Sequence, residues 1–352
     1  MSLLINQLKK SQILTSYNFA RTSDIVFSET LTHKQFDEIK DKDDIEIVFK
    51  NSYLIFYLRK KFSLCENDVI FTNTYFVENL FDLLSGCKRF KNIKLITHQT
   101  DIPITKKLYN KKPECISKWF SINVDYENDN LIPIPLGLAN DYSPKNIMKQ
   151  DFNKMTKNNN KAEKLYVNFQ KNTNLKERKA LLKKFEEIHW AFTEKPNQEI
   201  DTYLHNLNKY KFTLSPWGNG YDTHRFWEAI YAGSIPVTKK HITYKSSEGL
   251  PVIQLSDYKS ISMERLLKES ELVIGDSTLD KLNIDYWLKK IKNDNDSDKL
   301  TESRVEVKNN SIKKYINKHN RNANFENKYK KFIFRFRQVY NLPKKIIRII
   351  RK

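Results

Sequence analysis

The sequence predicts an α/β fold built in two halves, each around a mainly parallel sheet. Three observations carry this expectation. Strand and helix signals alternate along the chain. A polar stretch rich in Lys and Asn, residues 143–164, separates two such series. Four of the seven glycines, Gly218, Gly220, Gly233 and Gly249, are concentrated in the second half, where the backbone needs freedom that the rest of the chain avoids.

Taken in order, the first half offers short β-prone runs at 45–49, 68–72 and 94–97, with a helical pattern over 75–84. The second half repeats the alternation: strands at 165–168, 210–215 and 234–238, helices at 175–188 and 223–232. The expected domains are residues 1–145, residues 160–290, and a polar linker with a basic tail over 291–352. No repeat of solenoid period is present.

A length of 352 residues fits two domains of ~100 to 200 residues. The 39% apolar content, with 21 Phe and 18 Tyr, excludes global disorder. The formal charge of +20 favours anionic partners, namely phosphorylated metabolites, nucleic acid or an acidic membrane surface. Half of that excess comes from residues 328–352, which hold ten Lys or Arg and no acid. There Phe332, Phe336, Val339 and Tyr340 form a helical stripe that Pro343 interrupts. Beyond it, Ile346, Ile347, Ile349 and Ile350 share one arc, opposite Lys344, Lys345, Arg348, Arg351 and Lys352. This is the pattern of an interfacial basic helix, and equally of a terminal helix docked on its own core. Cys65, Cys87 and Cys115 are too few for a disulfide framework or a CxxC zinc pair, which favours a reducing compartment. With no signal-peptide core and no apolar stretch of ~20 residues, the expected location is cytoplasmic, peripheral on the inner face of a membrane.

The segment SPWGNGYDTHRFWEAIYAGSIPV, residues 215–237, carries the chemistry. A strand enters a Gly-containing turn, Asp222 or Thr223 can cap the next helix, and Gly233 closes it. Such a turn presents free N–H groups and positive dipole to an anion, as pyrophosphate requires. Arg225 in the first helical turn opposes the dipole and suits a phosphate clamp better than helix stabilisation. Glu228, one turn on, suits ribose hydroxyls. The structural alternative is that Trp227, Ala229, Ile230 and Ala232 are core contacts, Glu228 is solvated and Arg225 caps a surface salt bridge.

This segment resembles the donor-binding motif of exostosin-like glycosyltransferases of the family 47 type, approximately SPxGxGxDxxRxWEAlxxGxIPV. More distantly it is similar to the T-E-K-x-x-x-A-x-x-A-G-x-x-P-V segment of α1,3-fucosyltransferases. Weaker echoes are YVNFQKNTNLKER at 166–178, THQTDIP at 97–103 and KWFSINVDYENDNLIPIPLGLAN at 118–140. The resemblance implies a GT-B fold, two Rossmann-like domains facing a cleft, with the sugar nucleotide held mainly by the second. It gives Arg225 and Arg178 the pyrophosphate, Glu228 the acid of the W-E-A triplet, and Asn219, Gly220 and Thr223 the donor loop and helix start. His224 stands where the fucosyltransferases have Glu, which leaves the ribose to Glu228.

The implied activity is glycosyl transfer from a nucleotide-diphosphate sugar to a glycan or lipid-linked acceptor, inverting and without metal, in surface polysaccharide or lipopolysaccharide synthesis. No cofactor is expected beyond the donor substrate. Inversion needs a base on the acceptor side, and Asp101 and His98 follow a strand where α/β sheets place active groups. Glu78 is a third candidate. Asp41-Lys42-Asp43 and Asp296-Ser297-Asp298 have D-x-D spacing but lack a flanking apolar strand, so no metal site is assigned to them. No phosphate loop of the G-x-x-x-x-G-K-[ST] type occurs. Two rivals remain. A nucleic-acid-binding protein would interleave basic residues with exposed aromatics along a groove, whereas this basic excess is terminal, so no nucleic-acid partner is expected. A non-catalytic interaction protein would keep the fold without turnover.

Overall fold

A computed structural model describes residues 8–39, 44–143, 146–155, 160–275, 277–292 and 304–322. The basic tail beyond residue 322 and both D-x-D sequences lie outside the described residues. Residues 1–308 form one compact unit and residues 309–352 a second, in which 312–322 are helical.

Sixteen strands are labelled here in chain order. Those of the first half are β1 (Ile25–Leu31), β2 (Ile45–Lys50), β3 (Ile55–Arg59), β4 (Lys61–Leu64), β5 (Val69–Asn73), β6 (Ile93–His98), β7 (Ile104–Thr105), β8 (Ile116–Ser121), β9 (Val124–Asp125) and β10 (Leu131–Pro133). The second half holds β11 (Ala162–Val167), β12 (Ala191–Thr193), β13 (Tyr210–Leu214), β14 (Ile235–Lys239) and β15 (Ile253–Leu255), and β16 (Val305–Lys308) follows.

A seven-stranded sheet has the order β10-β8-β6-β5-β1-β3-β2. It is parallel from β10 to β1, and β3 and β2 complete it antiparallel. Because β2 pairs only with β3 in this sheet, Ile47 and Phe49 stay 45% and 48% exposed. The second sheet, β12-β11-β13-β14-β15, is parallel throughout. Every residue of β5 is buried, as are the last three of β11 and of β13, the pattern expected where helices cover both faces. In the second sheet the chain leaves β11 toward β12 and later returns on its other side as β13. This creates a topological switch point at their carboxyl ends, where open α/β sheets bind ligands.

The expected α/β alternation with parallel sheets is present, and each of the six expected strands overlaps an observed one. The helix expected over 75–84 begins as a 3-10 turn and continues as Val77–Leu84. Those expected at 175–188 and 223–232 are Leu175–Glu186 and His224–Tyr231. Two stretches differ from expectation. The polar stretch at 143–164 contains Ile147, Phe152 and Met155, which are buried in the main core, and its end is already strand β11. The segment read as polar linker supplies β16, which pairs antiparallel with β4 and so returns the chain to the first half.

One apolar core cluster runs through both halves, from Phe19, Phe71 and Ile96 to Trp227, Tyr231 and Trp287. The Tyr231 hydroxyl helps to join them, donating to the Leu282 carbonyl at 2.7 Å and accepting the Leu14 amide at 2.9 Å.

Candidate functional site

A cavity of about 420 Å³ opens where the carboxyl end of β6, the segment after β10 and the loops after β11 and β13 converge. That size falls within the ~300 to 1,000 Å³ of small-molecule sites. Nine residues singled out from the sequence line it: His98, Asp101, Arg178, Asn219, Gly220, Thr223, His224, Arg225 and Glu228. Arg225 and Glu228 also line a neighbouring cavity of about 240 Å³, together with Asn168, Pro196, Gln198 and Tyr203.

The motif is held in place from the opposite bank. Asn123, in the left-handed region at φ 51°, accepts the Asp222 amide at 2.9 Å and donates to the Thr100 carbonyl at 3.3 Å. Gly220 is required there, because a Cβ would sit 2.8 Å from both amide atoms of Asn123. The buried Asp222 carboxylate accepts the Trp227 indole N–H and the backbone N–H groups of Thr223 and Leu136, all at 2.9–3.0 Å. Burial pushes this carboxyl up to about 7 against the pull of those donors. Asp222 therefore braces the turn, and Thr223 occupies the N-cap position.

The Thr223 hydroxyl makes no cap bond and is buried without a hydrogen-bond partner among the described residues. The same holds for the Thr173 hydroxyl and the Nε of Arg225. The amides of His224 and Arg225, in the first helical turn, have no intrahelical acceptor. Donors and dipole thus converge on the cavity without acceptors of their own.

Arg178 is 4% exposed and spends three N–H groups on the carbonyls of Trp217, Gln170 and Pro216, at 2.8, 2.9 and 2.8 Å. It is first of all a clamp joining the loops after β11 and β13, and two of its five donors remain. Neither Arg178 nor Arg225 has a carboxylate within ion-pair distance among the described residues. Both guanidinium groups approach the buried Phe169 ring, at 5.5 and 5.9 Å. Burial, and then the Arg225 charge, pull the Arg178 guanidinium down to about 10. An anion placed between two such cations removes that penalty. Glu228 is 4% exposed, and its Oε2 accepts the Tyr203 hydroxyl at 2.8 Å.

The acceptor-side expectations need correction. His98 is 1% exposed, its Nδ1 accepts the Gln99 amide at 2.8 Å and its Nε2 donates to the Pro135 carbonyl at 3.3 Å. Burial pulls it down to about 3, so it is a neutral ring with both nitrogens committed and is not a base. Asp101 is exposed at the cavity wall and does not cap its turn, since the Ile102 amide bonds the Thr100 hydroxyl instead. Glu78 pairs with Lys111 and does not line the cavity. Among the described residues no group of His, Cys, Asp and Glu is arranged to hold a metal ion. The three cysteines are free thiols.

Sequence reasoning missed Asn123, Tyr203 and the Asn197 turn. The Pro196-Asn197 pair is a turn signal that points to the last of these, and Asn197 is left-handed at φ 66°. Asn123 acts on a residue 99 positions away, a relation no local pattern encodes.

Residues 151–274 match the family model of the RXYLT1 C-terminal domain, a xylosyltransferase-like glycosyltransferase domain. The match spans the second sheet and the motif helix, so this part of the chain is glycosyltransferase-like; the match is not to the exostosins specifically. Among solved structures, the crystal structure of an α1,3-fucosyltransferase is similar at 13% identity over 60% of this chain and 78% of that one, with a TM-score of 0.27. No curated protein matches.

Proposed function

We propose that the chain transfers a sugar from a nucleotide-diphosphate donor to a glycan or lipid-linked acceptor, using a GT-B-like pair of sheets and the exostosin-like motif. The observation that carries this reading is a pair of guanidinium groups without carboxylate partners among the described residues, the buried Arg178 and the half-buried Arg225, beside a helix start with unpaired donors. In a transfer step these groups meet the charge that develops on the departing nucleoside diphosphate. Arg225 and Asn219 contact the diphosphate, Thr223 and the amides of His224 and Arg225 bond its oxygens, and Arg178 fixes the loops and adds positive potential. Glu228, held by Tyr203, binds the ribose at the passage between the two cavities. The neighbouring cavity, with the side-chain amides of Asn168 and Gln198 and the ring of Pro196, takes the base. The donor is a substrate, and the reading calls for no resident cofactor and no nucleic acid.

The finer expectations belong here too: an inverting, metal-independent reaction in surface polysaccharide or lipopolysaccharide synthesis, at the cytoplasmic face of a membrane held by the basic tail. No helix among the described residues is long and apolar enough to cross a membrane. Deleting residues 343–352 is expected to remove salt-sensitive co-sedimentation with anionic liposomes, at ~1 kcal/mol per basic residue; unchanged binding rules the tail out as an anchor.

A thermal-shift panel of sugar nucleotides and their nucleoside diphosphates tests the central claim. A ligand at ~100 times its Kd adds ~2.7 kcal/mol and raises Tm measurably. A flat panel, with no nucleotide bound by calorimetry, refutes the function.

A further inference from the structure

We infer that His224 is the general base of the transfer step, an assignment that rests on the nucleotide-sugar reading above. His224 and Arg225 are adjacent at the start of the motif helix, yet their side chains diverge. Arg225 turns toward Phe169 and lines both cavities, whereas His224 lines only the larger one and reaches the Gly137 carbonyl in the segment after β10. The imidazole therefore belongs to the bank opposite the nucleoside end.

Its hydrogen bond fixes its chemistry. A carbonyl only accepts, so the 2.8 Å contact between Nδ1 and the Gly137 oxygen places a proton on Nδ1, and in the neutral ring the lone pair is then on Nε2. A neutral Nε2 cannot donate to a phosphate oxygen, but it can receive a hydroxyl proton. The Gly137 carbonyl is itself rigidly placed. Gly137 is left-handed at φ 70°, its ideal Cβ would lie 2.1 Å from the Leu14 carbonyl oxygen, and the Leu138 amide bonds that oxygen at 2.8 Å.

The other titratable groups of the cavity, Asp101 apart, are spoken for, and the Tyr142 hydroxyl accepts the Asn140 side-chain amide at 3.0 Å. His98 has both ring nitrogens bonded to backbone, the Asp222 carboxylate is buried under its donors, and Glu228 is bonded to Tyr203. The Arg225 and Arg178 guanidinium groups cannot accept a proton. Asp101, in the exposed loop after β6, is the competitor.

In the step, the acceptor O–H passes its proton to Nε2 while its oxygen bonds the anomeric carbon. The bond from that carbon to the diphosphate oxygen breaks, and its electron pair leaves with the nucleoside diphosphate.

The test uses the full-length protein and the sugar nucleotide that raises its Tm, and reads slow release of nucleoside diphosphate to water. In His224→Asn the amide N–H can replace Nδ1–H at the Gly137 carbonyl, so the fold and donor site persist. The expected result is nucleoside diphosphate affinity within ~3-fold of wild type, release reduced ~10²- to 10⁴-fold, and loss of the acidic limb of kcat/KM against pH. Asp101→Asn keeps that limb. Should His224→Asn fail to fold, His224→Gln reads the same quantities. Release within ~5-fold of wild type with the limb intact, or a limb lost in Asp101→Asn instead, overturns the assignment. A wild-type protein that binds no nucleotide sinks the donor reading itself, a result distinct from either.

Discussion

Replacing Arg225 with Met separates function from stability, and the size of each effect follows from the contacts. Arg225 makes no hydrogen bond or ion pair with the protein among the described residues, and its Nε is buried without a partner. Removing the guanidinium therefore breaks only its approach to the Phe169 ring at 5.9 Å, worth ~0.5 to 1 kcal/mol. It also relieves the repulsion that helps to depress Arg178. The expected change in unfolding free energy is within about 1 kcal/mol of zero. Binding behaves differently, because one or two charge-assisted bonds at ~1.5 to 3 kcal/mol each correspond to at least a roughly tenfold loss of diphosphate affinity. Arg178→Met reverses the profile: three carbonyls, one buried and two part-buried, lose their donor, at ~1 kcal/mol each, so stability falls by about 3 kcal/mol. Urea unfolding and calorimetry with inorganic pyrophosphate and nucleoside diphosphates read both quantities. An Arg225→Met protein that loses more than about 2 kcal/mol of stability, or binds diphosphates like wild type, refutes the reasoning.

Gly220→Ala should cost ~1 to 3 kcal/mol, since its Cβ would displace the Asn123 amide that holds Asp222 and Thr100; denaturant midpoints check this. Tyr203→Phe frees Glu228 Oε2 of its donor and is expected to weaken nucleoside binding more than inorganic pyrophosphate binding, as calorimetry with both ligands would show. Glu29, buried beside Arg21, is pushed up to about 7 from 4.5, chiefly by burial, so the folded chain holds an extra proton between those pH values. Stability from this group is therefore full below about pH 4.5 and is lost as pH rises toward 7. Melting curves of Glu29→Gln across that window are expected to flatten the slope, and an unchanged slope contradicts the assignment.

The motif could be found in the sequence because its information is local. Glycines, capping residues and charges within one helical turn announced a strand, a bend and a helix, and the strand and the helix stand at 210–214 and 224–231. The roles within the cavity were less legible. His98 looked reactive because it follows a strand, but burial keeps its ring neutral, and its Nε2 is bonded to the Pro135 carbonyl, 37 residues away. Arg178 was read as a ligand contact, while its three carbonyl partners appear only once the loops after β11 and β13 meet. β1 and β8 went unseen because polar residues, Ser28-Glu29 and Ser117-Lys118, interrupt their apolar runs; in the fold Ser28 bonds Thr72, and the Glu29 charge is met by Arg21.

The outermost strand of the larger sheet has a consequence for handling the protein. The β2 rim presents Ile47 and Phe49 beside backbone groups that no neighbouring strand among the described residues satisfies, so at high concentration a second molecule can zip onto it. A lysine at position 47 would act as a gatekeeper against such self-templating without touching the lining of the larger cavity.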